Sequence, residues 1–151
     1  MTAYSTRSWI WTALVVQFVG YVFDAVWHGL LRPGTEPQTF NEMVRHLLTV
    51  HLPLYVGALG LLVTTTMALL QRVRPADAST APLIAFGGAV LSTVAEAWHA
   101  FSHLRMDTHT GPIAGTLSFV GFLIALAAVA VWSRKQRRRR GQPLLNRRRA
   151  A

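Results

Sequence analysis

Carboxylates and imidazoles recur at helical spacing in apolar stretches of this sequence. Asp24 and His28 are four residues apart, which separates them by about 40° around a helix axis. Further along the chain, Glu96, His99 and His103 follow the spacing E-x-x-H-x-x-x-H. That spacing places all three within about 60° of arc on one helix. Each set therefore predicts a polar line along one helix face.

A third stretch, between these two, carries Glu42, His46 and His51. On a continuous helix His46 and His51 would lie about 140° apart, so we expect only one of them to face a given ion. His51 is the first choice and His46 the alternative. Glu42 lies just before the stretch, where the helix dipole favours a carboxylate. Its position four residues before His46 also leaves open a hydrogen bond to a metal-binding histidine.

Imidazole and carboxylate groups together suit zinc, copper, iron, manganese or nickel ions. A Glu–His pair three residues apart also occurs in di-metal carboxylate bundles. The sequence has no cysteine, which excludes thiolate metal sites, iron–sulfur clusters, disulfides and cysteine nucleophiles. We therefore predict a site for one or two divalent transition-metal ions. The candidate ligands are Asp24, His28, His46, His51, Glu96, His99 and His103.

These residues belong to a chain with the composition of a membrane protein. It is 52% hydrophobic and 14% charged, whereas a typical soluble domain is about 25% charged. Four apolar stretches each exceed the roughly 20 residues that cross the hydrocarbon layer of a bilayer as a helix. They predict an all-α, integral membrane four-helix bundle in which sequence neighbours pack antiparallel. The stretches are residues 8–31, 44–70, 81–104 and 112–133.

Basic residues are distributed unequally along the chain. Nine of the 15 Lys and Arg lie in residues 134–151, and the other six balance the six acidic residues. With both termini in the cytoplasm, that side holds twelve basic residues and the opposite side only Arg32, Arg45 and Arg105. This bias follows the positive-inside rule. It predicts a multi-pass protein of the cell inner (plasma) membrane with a cytoplasmic segment over residues 1–7.

The basic segment 134–151 follows the last apolar stretch directly. Such a position is typical of a membrane flank, and a nucleic-acid-binding domain would spread its charge over a folded face. We expect a disordered cytoplasmic tail that is attracted to anionic lipid. The predicted partners are thus the bilayer around residues 8–133 and other membrane subunits, with no nucleic acid.

This topology places the polar residues at one level of the bundle. Asp24, His51 and Glu96 each lie about two turns inside the outer ends of their helices, and the inner halves contain no His, Asp or Glu. An ionisable residue in a span costs about 2.5 kcal/mol or more and marks a functional site by default. The convergence therefore indicates binding of an ion in the outer half of the bundle.

The same polar residues are also compatible with three roles that need no divalent metal site. A histidine in a span can be a hydrogen-bonded packing residue, which would make the chain a non-catalytic, structural accessory subunit. Histidines on facing helices can also ligate a b-type haem in an electron-transfer anchor. The same residues can relay protons without a metal. Catalysis would further require an open coordination position and a path for a substrate.

The stretch F-D-A-V-W-H-G-L-L, followed after a short loop by H-L-L-T-V-H-L-P-L, resembles a pattern in small uncharacterised bacterial multi-pass membrane proteins. Those proteins carry an Asp-x-x-Trp-His helix followed by a helix that opens with Pro and His. The stretch is also distantly similar to the C subunit of particulate methane and ammonia monooxygenases. In that family an Asp-x-x-x-His helix and a His of the next helix bind a metal inside the membrane.

The resemblance implies roles for specific residues. Asp24 and His28 match the first element of the monooxygenase pattern, and His46 or His51 would supply the third ligand. The gap between the two elements is longer here than in that family. The resemblance therefore implies a metal site, in a chain that could be a subunit of a larger membrane metalloenzyme, without implying monooxygenase activity.

Overall fold

The computed structural model describes residues 3–35, 37–71, 79–107 and 111–141. These residues are all-helical, as predicted, and contain no strand. Four helices are long and apolar enough to span a membrane, which confirms the four-helix membrane bundle. The elements are α1 (Ala3–Val26), a π-helical turn (Trp27–Leu31), α2 (Phe40–Thr49), α3 (Leu52–Leu70), α4 (Ala81–Leu104) and α5 (Gly111–Gly141).

The second predicted span is divided into two helices. The sequence predicted one helix over residues 44–70, but α2 ends at Thr49 and α3 begins at Leu52. Pro53 explains the break, because it has no N–H and its ring would clash with the carbonyl of the residue four positions earlier. In the first turn of α3 the missing N–H has no cost. A short amphipathic helix therefore precedes the span.

A capping box fixes the start of α2. Glu42 N donates to Thr39 Oγ1 at 3.3 Å, and Thr39 N donates back to Glu42 Oε2 at 3.2 Å, so both ends of the box are satisfied. Gln38 N donates to the same carboxylate oxygen at 2.9 Å. These backbone hydrogen bonds, with Gln38 first, lower the pKa of Glu42. The favoured position predicted for Glu42 at a helix N-terminus is confirmed.

The last helix is longer than predicted. It continues beyond residue 133 to Gly141, so a helix replaces the disorder expected for residues 134–141. Arg, Lys and Gln are good helix formers, and this stretch has no Gly or Pro before Gly141. The remainder of the predicted tail, residues 142–151, lies outside the described residues.

The four spans pack in the order α1, α3, α4, α5. Backbones approach closely where glycines meet a neighbouring helix, as small residues allow in membrane bundles. A Cβ atom on Gly57 of α3 would lie 2.4 Å from Gln17 Cα of α1. A Cβ atom on Gly88 of α4 would lie 2.6 Å from the Gly121 carbonyl oxygen of α5. These contacts set the distance between α1 and α3 and the distance between α4 and α5.

The bundle has an apolar surface and polar residues in its interior. Large side chains such as Val15 and Val94 are 57% and 62% exposed, whereas Gln17, Ser92 and Ser118 are completely buried. A soluble protein buries its large apolar residues and leaves most such polar residues at the surface. The reversed pattern is that of a bundle whose outer surface faces lipid.

Two neighbouring glycines in α4 provide a matched test of the close packing. Gly88→Ala should destabilise the bundle by about 1–3 kcal/mol, because the added methyl group meets backbone atoms of α5. Gly87→Ala meets nothing within 4 Å and should be neutral or stabilise by up to about 1 kcal/mol. Thermal unfolding in detergent, followed by tryptophan fluorescence, measures both. Equal midpoints for the two variants would contradict the close α4–α5 contact.

The capping box makes the start of α2 sensitive to pH. Since the pKa of Glu42 is lower in the folded chain than its ordinary value of 4.5, the carboxylate stabilises the helix above that value. The stabilisation is lost as the pH falls through the folded pKa. Hydrogen exchange at the amides of Thr39 and Met43, corrected for intrinsic rates, should therefore quicken in acid. Glu42→Gln should remove this pH dependence, and an identical pH profile in both proteins would contradict the charged cap.

Candidate metal centre

The π-helical turn places His28 beside Asp24. Arg32 N donates to the Trp27 carbonyl oxygen at 2.8 Å, which is the five-residue bond that defines such a turn. His28 Nε2 lies 3.5 Å from Asp24 Oδ1. Asp24 and His28 therefore share a face, as their spacing predicted. Single π-helical turns of this kind are frequent at functional sites.

His46 and His51 lie together, and the prediction that only one of them could face a site was wrong. Their Nε2 atoms are 3.2 Å apart, and the two residues are 7% and 1% exposed. The predicted angle of about 140° assumed a continuous helix. His51 instead lies between α2 and α3, at the N-cap of α3. The break made by Pro53 thus brings the two rings into contact.

The polar residues of α4 lie along one face, as predicted. His99 Nε2 is 2.7 Å from His103 Nε2, and His99 Nδ1 is 4.0 Å from Glu96 Oε2. Glu96 is only 3% exposed, and neither of its carboxylate oxygens has a hydrogen-bond partner among the described residues. The α4 face therefore presents two imidazoles and a buried carboxyl group to the bundle interior.

Five histidines form one cluster at this end of the bundle, which we call the histidine cluster. It contains two sets of three residues whose ligand atoms all lie within 4.8 Å of one another. His51 belongs to both sets, and its ring centroid lies 5.2 Å from that of His99 and 5.4 Å from that of His103. The sets are His28, His46 and His51, and His51, His99 and His103.

The two predicted carboxylate ligands lie beside the cluster. Asp24 Oδ1 is 3.4 Å from His51 Nδ1, on the ring nitrogen that does not face His46. Glu96 likewise lies nearest to Nδ1 of His99, whose Nε2 faces His103. A carboxylate at the second ring nitrogen orients a metal-binding histidine and fixes its tautomer. The 3.4 Å contact suits Asp24 as a support of His51, whereas the 4.0 Å separation of Glu96 from His99 Nδ1 is too long for a hydrogen bond.

His46 lies outside the four spans, and its pKa is lower than the ordinary value of histidine. Its burial, together with the neighbouring His28 and His103, lowers the pKa of His46 to about 4. The ring is therefore neutral at neutral pH. Neutral imidazole is the form that binds a metal ion.

Helix α5 contributes space to the site. It carries no ionisable residue at this level, but Gly111 and Gly115 face the His99 ring. A Cβ atom on Gly115 would lie 3.7 Å from His99 Nδ1. With no side chain at either position, a cavity of about 250 Å³ remains between α5 and four of the histidines, His28, His51, His99 and His103.

Sequence reasoning missed several polar residues that adjoin the cluster. The Tyr55 ring stacks on His51 with centroids 6.0 Å apart, and a spacing of four residues is its only signal. Deeper in the bundle, Gln17 Nε2 donates to Ser92 Oγ at 2.6 Å, and Ser92 Oγ lies 3.1 Å from Ser118 Oγ. The hydroxyl of Tyr21 bonds Ser118 at 2.6 Å. These bonds join three helices, so helical periodicity alone could not predict them.

No protein-family model, curated protein or solved structure matches this chain. The resemblance of the Asp24–His28 stretch to a monooxygenase subunit therefore stays a prediction. The function of the histidine cluster has to be inferred from its own geometry and chemistry.

Proposed function

We propose that this chain is an integral membrane metalloprotein that binds a divalent transition-metal ion in the histidine cluster. The carrying observation is the pair of three-histidine sets that share His51 within 4.8 Å. Hydrogen bonds pair His46 with His51 and His99 with His103, but each imidazole has a second ring nitrogen, and buried polar groups are favourable only when they are paired. A metal ion provides a common partner for several of them.

The spacing of the ring nitrogens supports this proposal. Zinc–nitrogen bonds are about 2.0–2.1 Å long, so two nitrogens on a tetrahedral ion lie about 3.3 Å apart. The Nε2 atoms of His46 and His51 are 3.2 Å apart. Nitrogen ligands supported by carboxylates are compatible with zinc, copper, iron or manganese.

The cluster favours an ion over a b-type haem. Axial haem ligation requires histidines on opposite faces of a flat macrocycle. Here the rings of His46 and His51 are in edge-to-face contact with centroids 4.9 Å apart, and those of His51 and His99 are 5.2 Å apart. A macrocycle would have to separate rings that already contact each other.

An open coordination position would suit chemistry at this ion. Three protein ligands leave a fourth position for water or substrate in catalytic zinc sites. The cavity of about 250 Å³ adjoins the shared residue His51. We propose that the chain supplies this site to a membrane metalloenzyme, either by itself or as one of its subunits.

Proton relay is a second candidate, which the hydrogen bonds among Gln17, Tyr21, Ser92 and Ser118 favour. Proton relays in spans use Asp, Glu and His, and Glu96 lies four residues after Ser92 on the same helix. Proteoliposomes that contain a pH-sensitive dye test this function. Proton flux that Ser118→Ala abolishes, in protein free of metal, would favour relay over metal binding.

The shared residue gives the sharpest test of the metal site. His51→Ala reduces both sets to two histidines and should lower bound metal at least about tenfold, since even the loss of a histidine's hydrogen-bond partner costs that much. His28→Ala and His103→Ala each reduce only one set, so the matched pair shows which set holds the ion. Elemental analysis and a visible spectrum of the detergent-purified protein are the measurements. Undiminished metal in folded His51→Ala protein, or a Soret band, would refute the proposal.

Asp24→Asn tests the support of His51 by a carboxylate. Loss of the charge beside His51 Nδ1 should weaken metal binding by about 10–100-fold. Titration of metal-free protein, with competition from a chelator of known affinity, gives the dissociation constant. Asn41→Ala, a change in an exposed residue of α2, serves as the control. An unchanged constant in Asp24→Asn would show that Asp24 does not support the site.

A further inference from the structure

The seam between α1 and α5 differs from the other helix contacts of the bundle. Large aromatic rings bridge it, with Tyr21 and Phe119 at a centroid distance of 5.2 Å and Phe18 and Phe122 at 6.5 Å. Glycines bring α1 close to α3 and α4 close to α5, whereas these rings hold α1 and α5 apart. Above them, towards the histidines, the α5 residue that lines the gap is Gly115, which has no side chain.

A cavity of about 390 Å³ occupies this gap, within the usual size range of small-molecule sites. Its outer walls include Phe18, Val22 and Phe119. These side chains are 53%, 47% and 41% exposed, so they face the lipid. Its inner end is formed by Asp24, Glu96 and His99. The cavity therefore runs from the lipid-facing surface to the edge of the histidine cluster.

Two polar groups at the inner end have no hydrogen-bond partner among the described residues. They are the Glu96 carboxyl group and Nδ1 of His99, and Glu96 Oε2 lies 4.0 Å from His99 Nδ1. His99 Nε2 faces His103, and when Nε2 accepts in that contact the proton of the neutral ring lies on Nδ1. Buried polar groups left unpaired in this way destabilise the folded protein. A ligand that satisfies both would remove that destabilisation.

A hydroxyl group has the chemistry that this pair requires. It donates one hydrogen bond and accepts others, so a single oxygen can donate to Glu96 and accept from His99 Nδ1–H. A separation of 4.0 Å allows one oxygen to lie within hydrogen-bond distance of both groups. A hydroxyl group can pair with Glu96 in either protonation state, whereas a carbonyl group cannot donate to a carboxylate and an ammonium group cannot accept from His99 Nδ1–H.

We infer that the α1–α5 seam is a lateral binding site for a small lipophilic alcohol or phenol, with its hydroxyl group between Glu96 and His99. The apolar body would enter from the bilayer between Val22 and Phe119. The inference extends the proposed function by naming the ligand class of the site, and it rests on that function because His99 belongs to one of the histidine sets. The walls of the cavity consist of protein side chains, so the cavity does not require a bound ion.

Photolabelling with 3-azioctanol, an eight-carbon alcohol that carries a diazirine, tests the inference in full-length protein in liposomes. Mass spectrometry should locate the label on the α1 and α5 peptides that contain Val22 and Phe119, and excess 1-octanol should compete with it. Glu96→Leu should raise the half-saturating concentration about tenfold, as expected for loss of one hydrogen bond in a buried site. Removing an unpaired buried carboxyl group should leave the fold intact.

Two valines of α1 give a matched control. Val22→Phe fills the cavity and should abolish saturable labelling, whereas Val19→Phe makes the same change at a lipid-facing position, 53% exposed, that does not line the cavity. Equal labelling of the two variants, or label spread evenly over lipid-facing residues without competition, would mean that acyl chains fill the seam and would overturn the inference. Unchanged half-saturation in Glu96→Leu would overturn the hydroxyl assignment.

The same labelling in chelator-treated and metal-loaded protein separates this inference from the proposed function. Saturable labelling of a protein that binds no metal would refute the metal centre and leave the lateral site standing. A protein that binds metal through His51 but shows no saturable label would refute only the lateral site.

Discussion

Imidazole and carboxyl groups buried inside an apolar bundle must find partners in the bundle itself, and this requirement governs the structure at its histidine end. Lipid offers no hydrogen bonds, and an unpaired buried group costs free energy that the helix contacts would have to offset. The π-helical turn at His28 and the break before α3 both depart from regular helix, and both place a histidine in the cluster. We infer that these two irregularities in the helices bring the histidines into the cluster.

Helical periodicity predicted part of this site for a clear reason. Asp24 with His28, and Glu96 with His99 and His103, lie within single helices, where spacing determines the shared face. The contact of His46 with His51 could not be predicted in this way, because it depends on a chain break that Pro53 introduces. The proline was visible in the sequence, but its consequence depends on whether it bends a helix or begins one.

Helical periodicity could not predict the contacts between helices. Nothing in the spacing of Gln17, Ser92 and Ser118 shows that their side chains meet in the bundle core. The choice of neighbours depends on where glycines permit close backbone contact, as at Gly57 and Gly88. The fold class, by contrast, followed from four apolar stretches alone, since few other structures satisfy the backbone of such segments.

The histidine cluster and the lateral cavity adjoin each other. The cavity at the α1–α5 seam and the smaller one among the histidines share Asp24, His99 and Gly115 as lining residues. An ion in the cluster would thus be reached from the lipid without passage through the glycine-packed helix contacts. Such access suits a metal site that acts on molecules dissolved in the membrane.

X-ray absorption at the K-edge of the bound metal tests the histidine-bound ion most directly, because it reports the ligands themselves. We expect a first shell of nitrogen and oxygen, at about 2.0–2.1 Å for zinc, with the outer-shell scattering of at least three imidazole rings. His51→Ala should reduce that imidazole scattering in whatever metal remains. An oxygen-only shell, or the scattering pattern of a porphyrin, would contradict a histidine-bound ion.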